Sequence, residues 1–517
     1  MNLLKATGTI GGLTMVSRVL GFARDMIGSR MLGASHANDA FNLAFLLPNI
    51  FRRLFAEGAF SSGFVPLFSR RLESGGHEDA QAFSNEILAV FMPALLLVTV
   101  IFEIAMPGVL WLVASSYAET PGKFELAVEL TRWTFPYLLF ISLVALLSGV
   151  LNSLTRFAVA AFAPALLNIA LIIALLVSPP GNAATVKAMA IAVLAGGIAQ
   201  FLLCWFAVRQ AGVKLHFGRP RMTPAVRELI VLILPATAAA GVYQISQLFY
   251  GYFSTRLGEG ALTNLSYADR LNQLPLSIIG TALGVAILPS ISQAIERKDE
   301  AGAADVQARA FDLAMLLTLP ATLALVVAAG PIIGALFQGG EYSVADARTT
   351  GNILAILVTG LPAYVLVKVL TPAFYARKNV KTPVQIAMGI LLLSIPANFL
   401  LIPEIGIYSL ATVTSAGAWI NFSLLFVILY AKGHFRLPPW LVSRVARQLV
   451  AALAMAAALY FLREALGGLF FGGVIERVIG LGAIVGVGGL VYFGVALAIG
   501  GVDRQALATL RRKRAPK

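Results

Sequence analysis

The stretch FAVAAFAPALLNIALIIALLVS, Phe157 to Ser178, decides the fold. It runs 22 residues without a charged side chain. A helix of that length is about 33 Å long, enough to cross the ~30 Å hydrocarbon core of a bilayer. Arg156 precedes it, and Ser178-Pro179-Pro180-Gly181 breaks the helix behind it. The same pattern repeats in both directions, with further breaks at Gly339-Gly340, Leu437-Pro438-Pro439 and Gly467-Gly468. It predicts about fourteen helical spans, near 6–32, 38–57, 82–113, 126–151, 157–178, 186–208, 228–255, 262–290, 309–337, 348–376, 382–402, 406–431, 441–462 and 478–499. Composition agrees: of 517 residues 58% are apolar and 12% charged, with mean hydropathy +0.83. Soluble domains carry about 25% charged residues. The expected class is therefore an all-α polytopic membrane protein, which excludes soluble, disordered and secreted readings.

Net charge is +14. In a soluble chain that would suggest nucleic acid as partner; here position explains it. The segments before span one and after the even-numbered spans hold 25 of the 39 basic residues, including Arg209, Lys214, Arg219, Arg221 and Arg227. The other side holds about eight: Arg30, Lys123, Arg132, Lys187, Arg256, Arg348, Arg463 and Arg477. This bias on short loops places both termini in the cytoplasm and predicts no nucleic-acid partner. The tail Arg511–Lys517 reads as an anchor near anionic lipid. Cys204 stands alone, and His36, His77, His216 and His434 are scattered, so neither a disulfide nor a metal site is expected. Arg18 and Arg24 interrupt what a cleaved signal peptide would keep apolar. No Walker-type loop is present, and no cofactor is expected.

The segment 209–227, with five basic residues and two prolines, is the natural division. The expected layout is a first lobe (1–215, spans one to six), a second (216–435, spans seven to twelve), the last two spans (436–500) and a basic tail (501–517). The halves echo each other: span two runs into Gly63-Phe64-Val65-Pro66-Leu67-Phe68-Ser69, and span eight into Ala286-Ile287-Leu288-Pro289-Ser290-Ile291-Ser292. Paired, proline-interrupted segments of this kind point to a transporter built from repeats.

Six basic residues lie within spans: Arg18, Arg24, Arg52, Arg53, Arg270 and Lys368. At mid-bilayer each costs at least ~2.5 kcal/mol on insertion scales, so each needs a wet cavity or a partner. Arg18, Gly21, Asp25 and Gly28 share one face of span one. Asp39, Asn42, Asn49, Arg52 and Arg53 follow similar spacing in span two, with Pro48 as a kink. Tyr243, Gln247, Tyr250 and Ser254 line span seven, and Ser266, Arg270, Gln273 and Ser277 line span eight. These faces suggest a hydrated chamber, with five arginines against Asp25, Asp39 and Asp269. Arginine's planar donor fork fits phosphate oxygens, so the expected ligand is a phosphate- or pyrophosphate-bearing anion. Other readings stay open for individual residues. Arg53 reads as cavity or snorkelling residue, Lys368 as gate or anchor, and Glu57 as gate or cytoplasm-facing group. Asp269 and Asp25 read as partners of neighbouring arginines. Glu103 and Asp312 have no evident partner.

The run Ser17-Arg18-Val19-Leu20-Gly21-Phe22-Ala23-Arg24-Asp25, then Asp39-Ala40-Phe41, Leu47-Pro48-Asn49-Ile50-Phe51-Arg52-Arg53-Leu54-Phe55-Ala56-Glu57-Gly58-Ala59-Phe60 and Phe64-Val65-Pro66, resembles the MurJ/MviN family. Tyr267-Ala268-Asp269-Arg270-Leu271-Asn272-Gln273-Leu274-Pro275 resembles it too. The resemblance implies the multidrug/oligosaccharidyl-lipid/polysaccharide exporter fold, two six-helix lobes around a cationic cavity, with the last two helices forming a lipid-tail groove. It implies a flippase of lipid II, the lipid-linked peptidoglycan precursor, in the bacterial inner membrane. Arg18, Arg24, Arg52 and Arg270 match its essential cavity arginines, and Asp25 and Asp39 its acidic positions. Where some members hold sodium through acids of spans seven and eleven, this sequence has Tyr250 and Asn398. The expected partners are lipid II, membrane lipids and the cell-wall synthesis machinery. A different undecaprenyl-linked cargo is the alternative within the fold. A membrane enzyme acting on polyprenyl phosphates would need an acid–base pair or metal carboxylates, and Glu57, Glu103 and Asp312 form no such motif.

Overall fold

A computed structural model describes residues 3–55, 59–179, 183–470 and 472–502. Glu57 and the basic tail lie outside these residues. Among the described residues the chain is helical throughout, the one extended pairing being an isolated bridge between Gly339 and Tyr342. Ten stretches are long and apolar enough to cross a membrane. They coincide with expected spans three to six and nine to fourteen. The four others, spans one, two, seven and eight, are those whose sequence carries the polar faces.

Two compact units divide the chain. Unit 1 comprises Met1–Thr263 and Gly339–Ser343. Its helices are α1 (Leu3–Leu32), α2 (His36–Phe55), α3 (Ala59–Ala114), α4 (Lys123–Thr134), α5 (Tyr137–Ser153), α6 (Phe157–Val177), α7 (Ala183–Gln210) and α8 (Pro224–Ser254). Helix α3 bends at Gly76, whose φ of 71° and ψ of −164° suit only glycine. Its apolar side forms an aromatic ladder, Phe64 stacking on Phe60, Phe83 and Phe68 at 5.3, 5.4 and 5.8 Å. Gly149 of α5 admits that ladder, since a Cβ there would come 2.8 Å from the Phe64 ring.

Unit 2 comprises Asn264–Gln338 and Val344–Lys517. It takes α9 (Ala261–Pro275) from Asn264 on, then α10 (Thr281–Glu296), α11 (Glu300–Phe337), α12 (Val344–Leu357), α13 (Leu361–Ala376), α14 (Lys381–Ile405), α15 (Tyr408–Ala431), α16 (Pro439–Ala465) and α17 (Val474–Ala498). A π-helical turn, Leu276–Gly280, separates α9 from α10. Helix α11 is the spine of the unit, packing on α10, α12, α13, α16 and α17.

Proline recurs inside these helices, and each frees the carbonyl four residues earlier. In lipid a freed carbonyl needs another donor, and at four of these prolines a neighbouring helix supplies it. Pro48 frees the Ala44 carbonyl, which accepts from Thr134 Oγ1 at 2.8 Å. Pro107 frees that of Glu103, which accepts from Arg132 Nε at 3.3 Å. On α11, Pro320 and Pro331 free the carbonyls of Leu316 and Val327, which accept from Tyr492 Oη at 2.7 Å and Arg463 Nη1 at 2.8 Å. At these four prolines the freed carbonyl is also a point at which a neighbouring helix is fastened.

Candidate functional site

In unit 1 the polar stripe of α1 meets α6. Arg24 donates through Nε (3.0 Å) and Nη2 (2.6 Å) to Asp25 Oδ1, and through Nη1 to Asn168 Oδ1 at 3.1 Å. Asn168 is itself held, its Nδ2 donating to the Ser17 carbonyl at 3.1 Å. The side chains of Arg24 and Asp25 keep 12% and 13% of their surface exposed, so the pair is sheltered yet reachable. Arg18, on the same helix, is exposed. In α2, Arg52 donates from Nε to Asn49 Oδ1 at 3.2 Å, and Asn49 is tied to the Phe45 carbonyl at 2.8 Å. Arg53 beside it is half-buried.

Asp39 departs from the expectation that it opposes the arginines. It is 1% exposed, and its Oδ2 accepts from Lys123 Nζ at 3.3 Å and the Gly260 amide at 2.8 Å. Its Oδ1 accepts from the Thr263 amide at 3.1 Å and the Thr263 hydroxyl at 2.8 Å. Four donors saturate the carboxylate, which caps the first turn of α9 and favours that helix end. Lys123 in turn lies over the Tyr117 ring, 4.0 Å from its centroid. Three more ties lie at the same loops: His36 Nε2 meets Glu259 at 3.1 Å, its amide donates to Glu259 at 3.1 Å, and the Glu341 amide donates to the Arg30 carbonyl at 2.8 Å.

Unit 2 contributes Arg270, exposed on α9. Its neighbour Asp269 accepts from the Gln273 amide one turn on, so the helix itself braces that carboxylate. Lys368 of α13 lies across Gly280 at the π turn, where a Cβ would come 2.9 Å from Lys368 Cδ. Lys368 is half-buried and has no hydrogen-bond or ion-pair partner among the described residues.

Two acids without evident partners find them across the fold. Asp312 of α11 accepts from Arg444 Nη1 and Gln448 Nε2 of α16, both at 2.8 Å, and Trp440 backs the guanidinium at 5.0 Å. Arg132 donates from Nε to the Glu103 main-chain carbonyl and its charge acts on the Glu103 carboxylate, whose Oε1 makes no hydrogen bond among the described residues. Sequence reasoning missed Asn168, Lys123 and Arg444 as partners. The available signals were a lone amide in the apolar run of α6 and, for the other two, positions next to a span end.

The family model described as Lipid II flippase MurJ matches residues 29–478. A protein named probable lipid II flippase MurJ from Rhizobium meliloti (strain 1021) is 39% identical over 99% of this chain and 96% of its own. One named lipid II flippase MurJ from Burkholderia cenocepacia is 37% identical over 89% of this chain and 90% of its own. Among solved structures, a lipid II flippase MurJ in an inward closed conformation matches with TM-score 0.77 and 24% identity, over 94% of this chain and 97% of its own. An inward-facing multidrug resistance transporter of the MATE family matches with TM-score 0.67 and 16% identity, over 82% of this chain and 98% of its own.

Proposed function

The chain belongs to the MurJ family of lipid II flippases, and from that premise we propose that it moves lipid II from the cytoplasmic to the periplasmic leaflet of the bacterial inner membrane by alternating access. It is a multi-pass membrane transporter, not an enzyme. In this reading it has fourteen spans, both termini are cytoplasmic, and 1–215 and 216–435 act as the two rocking lobes. The spans within 436–500 accommodate the polyprenyl tail.

The observation that carries the reading is the bracing of Arg24. Its guanidinium is oriented by Asp25 and Asn168 before any ligand arrives. A preoriented fork suits the oxygens of a pyrophosphate, which compete with Asp25 for the same N–H groups. Arg18, Arg52 and Arg270 supply further positive charge, and Lys368, Arg53 and Gln273 line the path. Asp25 is then the empty-state partner that substrate displaces, so substrate itself shifts the equilibrium between states. Asp39 takes a different part: by capping α9 and holding Lys123 it latches the loops at one end of unit 1. An inside-negative potential favours outward movement of the anionic cargo by ~2.3 kcal/mol per charge per 100 mV.

The test is depletion with complementation. Removal of this chain is expected to leave lipid II in the cytoplasmic leaflet. Alanine at Arg24, Arg52 or Arg270 is expected to fail to restore growth although the protein reaches the membrane. Full rescue by all three would refute the site. Strict sodium dependence of flipping would contradict drive by the potential alone.

A further inference from the structure

Between α7 and α8 the chain leaves the helices and runs as a strap pinned along α3. The Lys214 amide donates to Gln81 Oε1 at 2.8 Å, and the His216 amide to Asn85 Oδ1 at 2.9 Å. A Cβ on Gly218 would come 3.7 Å from Ala89. Gln81, Asn85 and Ala89 lie a turn apart on one face of α3, and two extended residues advance about as far as one helical turn, ~6.6 against ~6 Å. Val213 and Leu215 are buried, whereas Lys214, His216 and the whole of 217–222 are exposed. Thr223 closes the strap, its Oγ1 donating to Glu86 Oε2 at 2.6 Å.

Two uncharged runs mark the level at which the strap lies. Residues 188–208 of α7 carry no charge and Arg209 ends them, while residues 87–102 of α3 carry none and Glu86 precedes them. Such runs belong to the hydrocarbon layer, and both close at the strap. The Phe217 ring stacks on Trp205 of α7, with centroids 5.8 Å apart and planes within 5°. Trp205 lies about 6 Å along the helix from Arg209, the level at which aromatic side chains gather at a bilayer surface. Charge at this level is one-sided. Residues 209–227 hold Arg209, Lys214, Arg219, Arg221 and Arg227 and no acid. None of these five side chains makes an ion pair or hydrogen bond among the described residues. The adjacent acids are engaged, Glu86 by Thr223 and Glu228 by Arg70 at 2.5 Å. Such a surface attracts a net-negative head group and repels the ammonium of a zwitterionic one.

We propose that the connector between α7 and α8 is a binding site for anionic glycerophospholipid, with Phe217 set beside Trp205 among the first acyl carbons and Lys214, Arg219 and Arg221 on the head-group phosphates. The ligand is a bilayer lipid in the leaflet at the Arg209 end of α7, and the site is separate from the Arg24 cluster on α1 and α6. A lipid held there keeps the strap seated on α3, and so fastens the adjoining ends of α7 and α8 to that helix.

The full-length protein, released from nanodiscs of equal phosphatidylglycerol and phosphatidylcholine, reports its retained lipids by native mass spectrometry. Each basic residue near an anionic surface is worth about fivefold in occupancy. Wild type is expected to retain phosphatidylglycerol over phosphatidylcholine by roughly twentyfold or more, and Arg219→Gln with Arg221→Gln to lower that ratio about twentyfold. Lys298→Gln with Lys432→Gln removes the same charge from exposed residues of other loops and is expected to change the ratio by less than about twofold. All four side chains are exposed and make no ion pair or hydrogen bond among the described residues, so both pairs of substitutions leave the fold intact. Phe217→Cys carrying a bimane, in a chain whose own Cys204 is buried, is expected to be quenched by lipid with a nitroxide near the top of its acyl chain. Equal losses in the two pairs, an unchanged ratio in the strap pair, or an unquenched bimane would each overturn the proposal.

Discussion

Arg24 and Arg444 are both helix arginines paired with aspartate, yet they do opposite work. Arg24 takes the carboxylate next to it in the same helix and a neutral amide from α6. Arg444 takes a carboxylate on another helix, and Gln448 fills the second oxygen of that carboxylate. Opening the first pair moves no helix. Opening the second releases one of the ties between α16 and α11. A local pair can yield to a ligand, whereas a pair between helices is a joint.

The largest expected effect lies on the local side. Arg24→Ala should abolish flipping in a proteoliposome assay at a cost in stability of only about 1.5 kcal/mol, because of the partners described for Arg24 only the Asn168 amide lies on another helix. A large loss of stability with flipping retained would reverse the comparison. On the other side, Asp312→Ala takes from Arg444 and Gln448 the carboxylate they share, while Gln448 keeps its bond to the Gly501 carbonyl. The expected cost is about 3 kcal/mol, at the low end for breaking a buried pair because both side chains keep some exposure. Flipping per folded molecule should persist. The double variant Asp312→Leu with Arg444→Leu should recover most of the stability, since an apolar pair replaces the charges.

Asn168→Ala sharpens the distinction. It removes the bond to the Arg24 guanidinium, a change of about tenfold in occupancy of the oriented fork, together with the bond to the Ser17 carbonyl, so flipping should fall by that order with a small loss of stability. Asn168→Gln, which keeps the amide, tests whether placement or mere hydrogen bonding matters. An unchanged rate in both would remove Asn168 from the site.

These residues also show what the sequence discloses. Periodicity assigns a residue to a helix face, so the stripes carrying Arg18, Asp25, Arg52 and Arg270 were legible, and so were pairs within one helix such as Arg24 with Asp25. Periodicity is silent on which helix faces which. Asn168 lies 144 residues from Arg24, and Arg444 lies 132 from Asp312. Asp39 shows the cost: its place on a polar stripe suggested an arginine partner, but its burial at the first turn of α9 gave it to Lys123 and two backbone amides. Prolines were similarly half-legible. Pro320 announces an orphan carbonyl at Leu316, but nothing local announces that Tyr492, 176 residues on, will answer it.

That last bond sets the smallest effect. Tyr492 is buried, and its hydroxyl donates to the Leu316 carbonyl that Pro320 leaves open. Tyr492→Phe keeps the ring, so packing of α17 on α11 survives and only the donor is lost. The expected cost is about 1 kcal/mol, the net worth of one neutral hydrogen bond, with flipping unchanged. If kink carbonyls serve as fastening points, Arg463→Leu at Val327 should cost a comparable amount, and the two losses should add because the carbonyls lie 11 residues apart on α11. A combined loss well above the sum would show that α16 and α17 clamp α11 cooperatively, as one splint and not as two separate bolts.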